Sequence, residues 1–125
     1  AELGRAALSI GSVRGIEFGA GFAVADMTGS ESNDPILPGA FATNNAGGII
    51  GGISTGQEIV FRIAVKPTAS ISTEQKSTDD QGRPIAIRTK GRHDPCICPR
   101  IVPVVEAMSA IVLMDMVKRQ TALRA

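Results

Sequence analysis

The clearest pattern along the chain runs from residue 14 to 26. There Ile16, Phe18, Ala20, Phe22 and Val24 alternate with Glu17, Gly19, Gly21, Ala23 and Ala25. A period of two predicts an extended strand with one apolar face. Gly19 and Gly21 fall on the other face, which suits a bulge or a close approach by another backbone. Ahead of the strand, residues 1–9 read as the last turns of a helix that begins upstream, and Gly11-Ser12 breaks it. Residues 28–44 are crowded with turn formers, among them Gly29, Ser30, Asn33, Asp34, Pro35, Pro38 and Gly39, and predict one long loop. Loops of that length inside a compact domain are functional or mobile.

Two hairpins follow in the pattern. Gly48 to Ser54 and Gln57 to Val65 are apolar or alternating runs joined by Thr55-Gly56, with Ile59, Phe61, Ile63 and Val65 on one face and Pro67 ending the second strand. Residues 71–78 and 84–89 flank the turn Asp79-Asp80-Gln81-Gly82 and predict a second, more exposed hairpin. After a loop over 90–100 carrying Gly91, Pro95 and Pro99, residues 102–120 are helix formers. That helix is apolar nearly all round, broken by Glu106, Ser109, Asp115, Lys118 and Arg119. It needs cover on most sides, from sheets, other helices or another subunit. Lys118, Arg119 and Arg124 suit the negative end of its dipole.

Composition narrows the classes. With 43% hydrophobic and 20% charged residues in 125, the chain has the makings of one domain with a buried core rather than of a disordered segment. A net charge of +1 gives no reason to expect nucleic acid or an anionic membrane surface as a partner. The aromatic residues are 3% of the chain and all Phe, so stacking platforms for single-stranded nucleic acid are scarce. The most apolar stretch, residues 101–117, is interrupted by Glu106 and Asp115 and is short for a bilayer, so it reads as a buried helix of a soluble protein. Cys96 and Cys98 are separated by one residue; a bridge between them would be strained, and reduced thiols in a cytoplasmic protein are expected. Ala1 stands where an initiator Met would, and the first residues lack a basic-then-apolar leader, so the chain is expected to be part of a longer one.

Three segments can carry chemistry. The paired glycines of Asn44-Asn45-Ala46-Gly47-Gly48-Ile49-Ile50-Gly51-Gly52-Ile53-Ser54 let backbone N–H groups approach a ligand, although the run is neither a Walker A loop nor a dinucleotide fingerprint. A glycine-rich strand packed tightly on a neighbour is the competing account. Lys66-Pro67-Thr68-Ala69-Ser70-Ile71-Ser72 leaves a strand with a cation, a rigid Pro and three hydroxyls, the groups that meet phosphate oxygens, or else forms a capped turn with its Lys in solvent. Lys90-Gly91-Arg92-His93-Asp94-Pro95-Cys96-Ile97-Cys98-Pro99-Arg100 gathers cation, imidazole, carboxylate and thiol in one turn-rich stretch. It can be an anion and acid–base site, with Arg92 on an oxyanion and Asp94 or His93 handling a proton. It can also be a surface loop whose charges pair with each other. A metal site from His93, Asp94, Cys96 and Cys98 lacks the second, separated pair of ligands usual for structural zinc.

In the same order along the chain, these segments resemble chorismate synthase. Asn45-Ala46-Gly47-Gly48-Ile49-Ile50-Gly51-Gly52-Ile53-Ser54-Thr55-Gly56 is similar to that family's glycine-rich segment. Lys66-Pro67-Thr68-Ala69-Ser70-Ile71 looks like its Lys-Pro-Thr-Ser-Ser-Ile segment with Ala69 at the one changed position. Gly91-Arg92-His93-Asp94-Pro95-Cys96, then Pro99-Arg100 and Glu106-Ala107-Met108, resembles its C-terminal signature. The resemblance covers the whole chain but only the C-terminal part of the family. Residues 1–125 are therefore expected to be the C-terminal portion of a chorismate synthase-like domain, with the N-terminal portion absent.

The resemblance implies an α+β fold of antiparallel β-hairpins packed on helices, part of a β-α-β sandwich. It implies a carbon–oxygen lyase of the shikimate pathway, serving aromatic amino acid biosynthesis. Such an enzyme binds reduced FMN and catalyses the 1,4-anti elimination of phosphate from 5-enolpyruvylshikimate 3-phosphate to give chorismate. It further implies a cytoplasmic homotetramer, with FMN reduced by an external flavin reductase or NADPH. By position, Gly11, Ser12, Gly51, Lys66, Pro67, Thr68, Ala69, Ser70 and Arg92 match FMN-contacting residues. Asp94 matches the motif aspartate taken to help proton transfer at the flavin. Two histidines that the family uses as acids, and several substrate-holding arginines, have no counterpart here, and His93 is not one of those histidines. This chain alone is accordingly expected to be inactive; the rival expectation is a non-catalytic flavin-contacting or oligomerisation module.

Overall fold

The structure is a computed structural model that describes residues 1–124. It opens with helix α1 (Glu2–Ser9), which buries Leu3 and Ala7, one turn apart on a single face. That face meets the long helix α3 (Cys98–Ala122) beside Val105 and Met108. Strand β1 (Val13–Phe18) follows directly and pairs antiparallel with β6 (Phe61–Val65). The register sets Ile16 opposite Ile63 and Phe18 opposite Phe61, and the two rings lie 5.7 Å apart, within aromatic-pair range. Along β6, Phe61, Ile63 and Val65 are half-buried while Arg62 and Ala64 are exposed, the face that the alternation predicts.

The predicted strand over 14–26 stops at Phe18. Gly19 adopts φ +55°, and a side chain there would strike the Asn45 carbonyl and the Gly47 amide. The close approach expected of this glycine thus ends the strand. Residues Gly21–Asp26 wind into a 3₁₀ helix, which leaves Phe22 81% exposed instead of on the strand's apolar face. The predicted loop over 28–44 contains a one-turn helix, α2 (Gly29–Ser32), and a two-residue ladder, β2 (Ile36–Leu37) with β3 (Ala40–Phe41).

The predicted pairing of 48–54 with 57–65 does not form. Gly51 and Gly52 take φ +59° and +81°, the backbone of a two-residue hairpin turn, so the run folds on itself as β4 (Ile49–Ile50) against β5 (Ile53–Ser54). That frees β6 for β1. The second hairpin, β7 (Gln75–Thr78) with β8 (Pro84–Ile87), forms as predicted around the 79–82 turn, with shorter arms. There the Asp79 carboxylate accepts hydrogen bonds from the Gln81 and Arg83 amides at 2.9 and 2.8 Å. Helix α3 begins at Cys98, inside the predicted 90–100 loop, because a proline in the first helical turn lacks only an N–H that has no partner there. It carries Pro103 as well and runs to Ala122.

Among the described residues the buried apolar ones are few: Leu3, Ala7, Val13 and Ile101. Total accessible surface is 9460 Å² for a 13.0 kDa chain. A compact monomer of this mass exposes about 6,300 Å². The excess of roughly 3,000 Å² on one chain exceeds the roughly 1,000–2,500 Å² per partner that large permanent interfaces bury. Much of it is apolar, including Ile111, Met114 and Val117 on α3, which are 64%, 55% and 59% exposed. Among the described residues α1 covers one side of α3, and the wider cover that its apolar circumference requires is not supplied within this chain. No described helix is long and apolar enough to cross a membrane.

Candidate functional site

The site is built where β6 ends and α3 begins. Beyond Val65 the Lys66 amide donates to the Ser12 carbonyl at 2.7 Å, which carries the β1–β6 ladder one step past the strands. Ser12 has φ +73° and is the one non-glycine described in the left-handed region. Such a conformation costs about 1–3 kcal/mol and persists where the surroundings impose it. Here they do: Gly11-Ser12 must reverse the chain between α1 and β1 while Val13 is pinned in the core.

Pro67 leaves the ladder, and the next residue turns inward. Half-buried Thr68 donates its hydroxyl to the Asp94 carbonyl at 2.9 Å, joining two segments 26 residues apart. The Asp94 side chain faces the start of α3, where Arg100 Nη2 lies 3.1 Å from Oδ2 and 3.3 Å from Oδ1. Lys66, Ser70 and Arg92 stay exposed. Among the described residues, neither Lys66 nor Arg92 enters an ion pair. Both lie on the loops that the Thr68–Asp94 bond joins, and cations and hydroxyls of this kind can meet an oxyanion such as phosphate. Cys96 and Cys98 are free, exposed thiols. The pKa of the Cys98 thiol is pushed up chiefly by its hydrogen bond with Cys96. No three His, Cys, Asp or Glu side chains among the described residues gather as a metal site.

The structure thus brings Ser12, Lys66, Thr68 and Asp94 together, with Pro67, Ala69, Ser70 and Arg92 on the same loops. Gly51 stands apart. The base of its hairpin is fixed at the start of β6, where the Val60 amide donates to the Gly47 carbonyl at 3.1 Å, while Lys66 lies at the other end. At about 3.3 Å per residue the strand separates them by roughly 20 Å. Gly52 and Ile53 instead line a cleft of about 560 Å³ with Leu113, Met116 and Val117 of α3.

Two groups of residues had no role in the sequence reading. Arg100 was visible only as part of a motif, and its contact with Asp94 depends on α3 starting early. The other group holds the glycine-rich run. Asp34 Oδ1 accepts from the Thr43 hydroxyl at 2.6 Å and the Asn45 amide at 2.7 Å, and Oδ2 from the Ala46 amide at 2.9 Å. Burial works to raise the Asp34 carboxyl, but the bonds from Thr43, Ala46 and Asn45 outweigh it and hold its pKa below the ordinary value. The available signal was an Asp-Pro and an Asn-Asn pair flanking a glycine run, residue types that bond to nearby backbone.

Fold and site together define an α+β chain in which loops carrying Lys66, Ser70 and Arg92 are tied through Ser12, Thr68 and Asp94. The sequence pattern of chorismate synthase matches residues 1–117. The chorismate synthase of Syntrophus aciditrophicus is 55% identical over 122 residues, 98% of this chain and 34% of that protein. That of Nitrosospira multiformis is 53% identical over 122 residues, 98% of this chain and 31% of that protein. A crystal structure of chorismate synthase superposes with a TM-score of 0.69 at 31% identity, over 91% of this chain and 28% of the other. The chain belongs to the chorismate synthase family, shares its α+β fold, and spans about a third of the length of the curated relatives it matches.

Proposed function

We propose that this chain supplies the flavin-contacting loops of a chorismate synthase, a lyase that eliminates phosphate in the 1,4-anti sense from 5-enolpyruvylshikimate 3-phosphate. The observation that carries the reading is the hydrogen-bonded meeting of the Lys66–Ser70 segment with Ser12 and with Asp94. Lys66 and Arg92 would hold the FMN phosphate as cations, and the Ser70 hydroxyl would donate to its oxygens, while Thr68, whose proton goes to the Asp94 carbonyl, ties the two loops together. Gly11-Ser12 and the backbone of Pro67 and Ala69 shape the turn on which these groups sit. Gly51 lies too far along β6 to touch the same phosphate and is proposed as a contact to another part of the flavin.

Bound as reduced FMN, the cofactor supplies transient electron donation to the substrate. The protein's share is to position, to exclude water and to move protons. Asp94 is assigned the proton, held at its carboxylate oxygens, with the Arg100 guanidinium keeping that carboxylate in place. The activity is proposed for a complete catalytic unit to which this chain contributes about a third. The roughly 3,000 Å² of excess surface supports the remaining contacts, and a homotetramer is the proposed assembly. Two exposed free thiols fit a reducing, cytoplasmic setting, in which a flavin reductase or NADPH maintains reduced FMN.

The test is a flavin-fluorescence titration of the chain. FMN should bind saturably, and both Lys66→Ala and Arg92→Ala should weaken it while leaving riboflavin, which lacks the phosphate, little changed. Equal loss for both flavins would remove the phosphate-holding role.

A further inference from the structure

The Asp34 carboxylate sits outside the loop cluster, and its three hydrogen bonds all go to the segment that precedes the β4–β5 hairpin. The same segment is held from three other sides. The Asn44 side chain accepts from the Gly48 amide at 2.6 Å and donates to the Glu58 carbonyl at 2.9 Å, clamping the base of the hairpin to the approach of β6. The Asn45 side chain donates to the Glu31 carbonyl at the end of α2 at 3.1 Å. The Ala20 amide donates to the Asn45 carbonyl at 2.8 Å. Gly47 and Gly48 are buried against backbone, so the turn has little room for another path.

We propose that Asp34 is a positioning residue: its carboxylate fixes the turn at residues 44–48 and thereby sets where the hairpin carries Gly51 toward a ligand. The reasoning is one of counting donors. The amides of Asn45 and Ala46 point into a half-buried space where a carboxylate is the acceptor they have, and a buried donor without an acceptor is costly. With the carboxylate gone, the turn must open to let water reach them, and the hairpin swings on its base. That this matters to FMN in particular rests on the flavin reading above; that Asp34 orders the hairpin does not.

The experiment compares wild type, Asp34→Ala and Asp34→Asn in the full chain, by residue-resolved amide hydrogen exchange and by FMN fluorescence titration. In Asp34→Ala, exchange at Asn45, Ala46 and Gly48 should rise about tenfold or more while the β1–β6 amides stay within about twofold. FMN affinity should fall by a similar factor. Asp34→Asn keeps one oxygen for Thr43 and Asn45 and should restore about half of each effect on a logarithmic scale. Should Asp34→Ala fail to fold, Asp34→Asn alone must still speed exchange at Ala46, the amide its new NH₂ group cannot accept from. Unchanged exchange at residues 45–48 overturns the proposal. So does faster exchange with unaltered FMN affinity in a chain whose wild type binds FMN. If wild type binds no FMN, the flavin reading fails, and exchange at residues 44–55 decides the role of Asp34 on its own.

Discussion

Gly47 and Gly51 lie four residues apart with φ +67° and +59°, yet the structure predicts very different costs for replacing them by Ala. Left-handed backbone costs an L-residue about 1–2 kcal/mol, and both variants incur that. At Gly51 a new Cβ meets nothing within 4 Å, so about 1–2 kcal/mol is the whole effect. At Gly47 the Cβ would strike the Gly19 amide and lie 2.7 Å from the Val60 carbonyl, both backbone atoms that cannot swing away. Overpacking of this kind adds about 1–3 kcal/mol, for a total of about 2–5 kcal/mol. The chain has no Trp, so far-UV circular dichroism in urea is the assay of choice. With a slope of about 1.5 kcal/mol/M, Gly51→Ala should lower the midpoint by about 1 M and Gly47→Ala by about 2 M or more. Equal midpoints for the two variants would refute the account in which the Gly19–Gly47 contact, rather than backbone conformation alone, dictates these glycines. A folded Gly51→Ala chain also makes any accompanying loss of FMN binding a local effect.

Thr68→Val removes the one hydrogen bond tying the Lys66–Ser70 loop to Asp94; global stability should fall by no more than about 1.5 kcal/mol, with amide exchange at residues 94–97 rising well beyond that of α3. A Thr68→Val chain with unchanged exchange there would show that the contact does not order the loop. Asp79 has its pKa held below the ordinary value, first by the Arg83 amide, then by the Arg83 side chain. A depressed carboxyl contributes stability that is present above its unfolded pKa and lost as pH falls through the folded value. The Gln81 and Arg83 amide resonances should therefore shift on acidification through that depressed value, and Asp79→Asn should abolish the transition. In the complete catalytic unit, Asp94→Ala should slow turnover more than it weakens FMN binding, whereas Arg92→Ala should act chiefly on FMN binding; equal effects on flavin affinity would break that division. The isolated chain, given reduced FMN and 5-enolpyruvylshikimate 3-phosphate, should show little or no chorismate formation, and robust turnover would contradict the proposed incompleteness.

Local chemistry was legible and long-range choice was not. The Asp79–Gly82 turn, the apolar face of β6 and the helix after residue 100 follow from nearest neighbours in sequence. The partner of β6 does not, because residues 14–18 and 48–54 both offer apolar alternation. The choice is made by Gly51-Gly52, whose positive φ angles consume the second candidate in its own hairpin. Gly19 shows the same limit: its place opposite an apolar face announced a close approach, but only the arrival of Asn45 and Gly47 turns that approach into the end of a strand. For the site, the motif segments were visible, but which of them meet was not. Lys66 and Ser12 meet because β1 and β6 pair, a contact 54 residues long in sequence that no local spacing encodes.

The loop cluster depends on helix placement more than its own composition implies. Asp94 is held on one side by Thr68, from the end of β6, and on the other by Arg100, from the first turn of α3. Its position therefore follows the angle between the β1–β6 ladder and α3. Within this chain that angle is set through α1, which packs on both β1 and α3 and lays Leu3 and Ala7 beside Val105 and Met108 of α3. Beyond α1 little in this chain packs on α3, so its exposed apolar side would give a partner surface a share in where the helix settles. A partner that covers Ile111, Met114 and Val117 is therefore expected to steady Asp94 as well, and if the loop cluster holds a ligand, that ligand should bind more tightly in the assembled protein and strengthen assembly by the same factor.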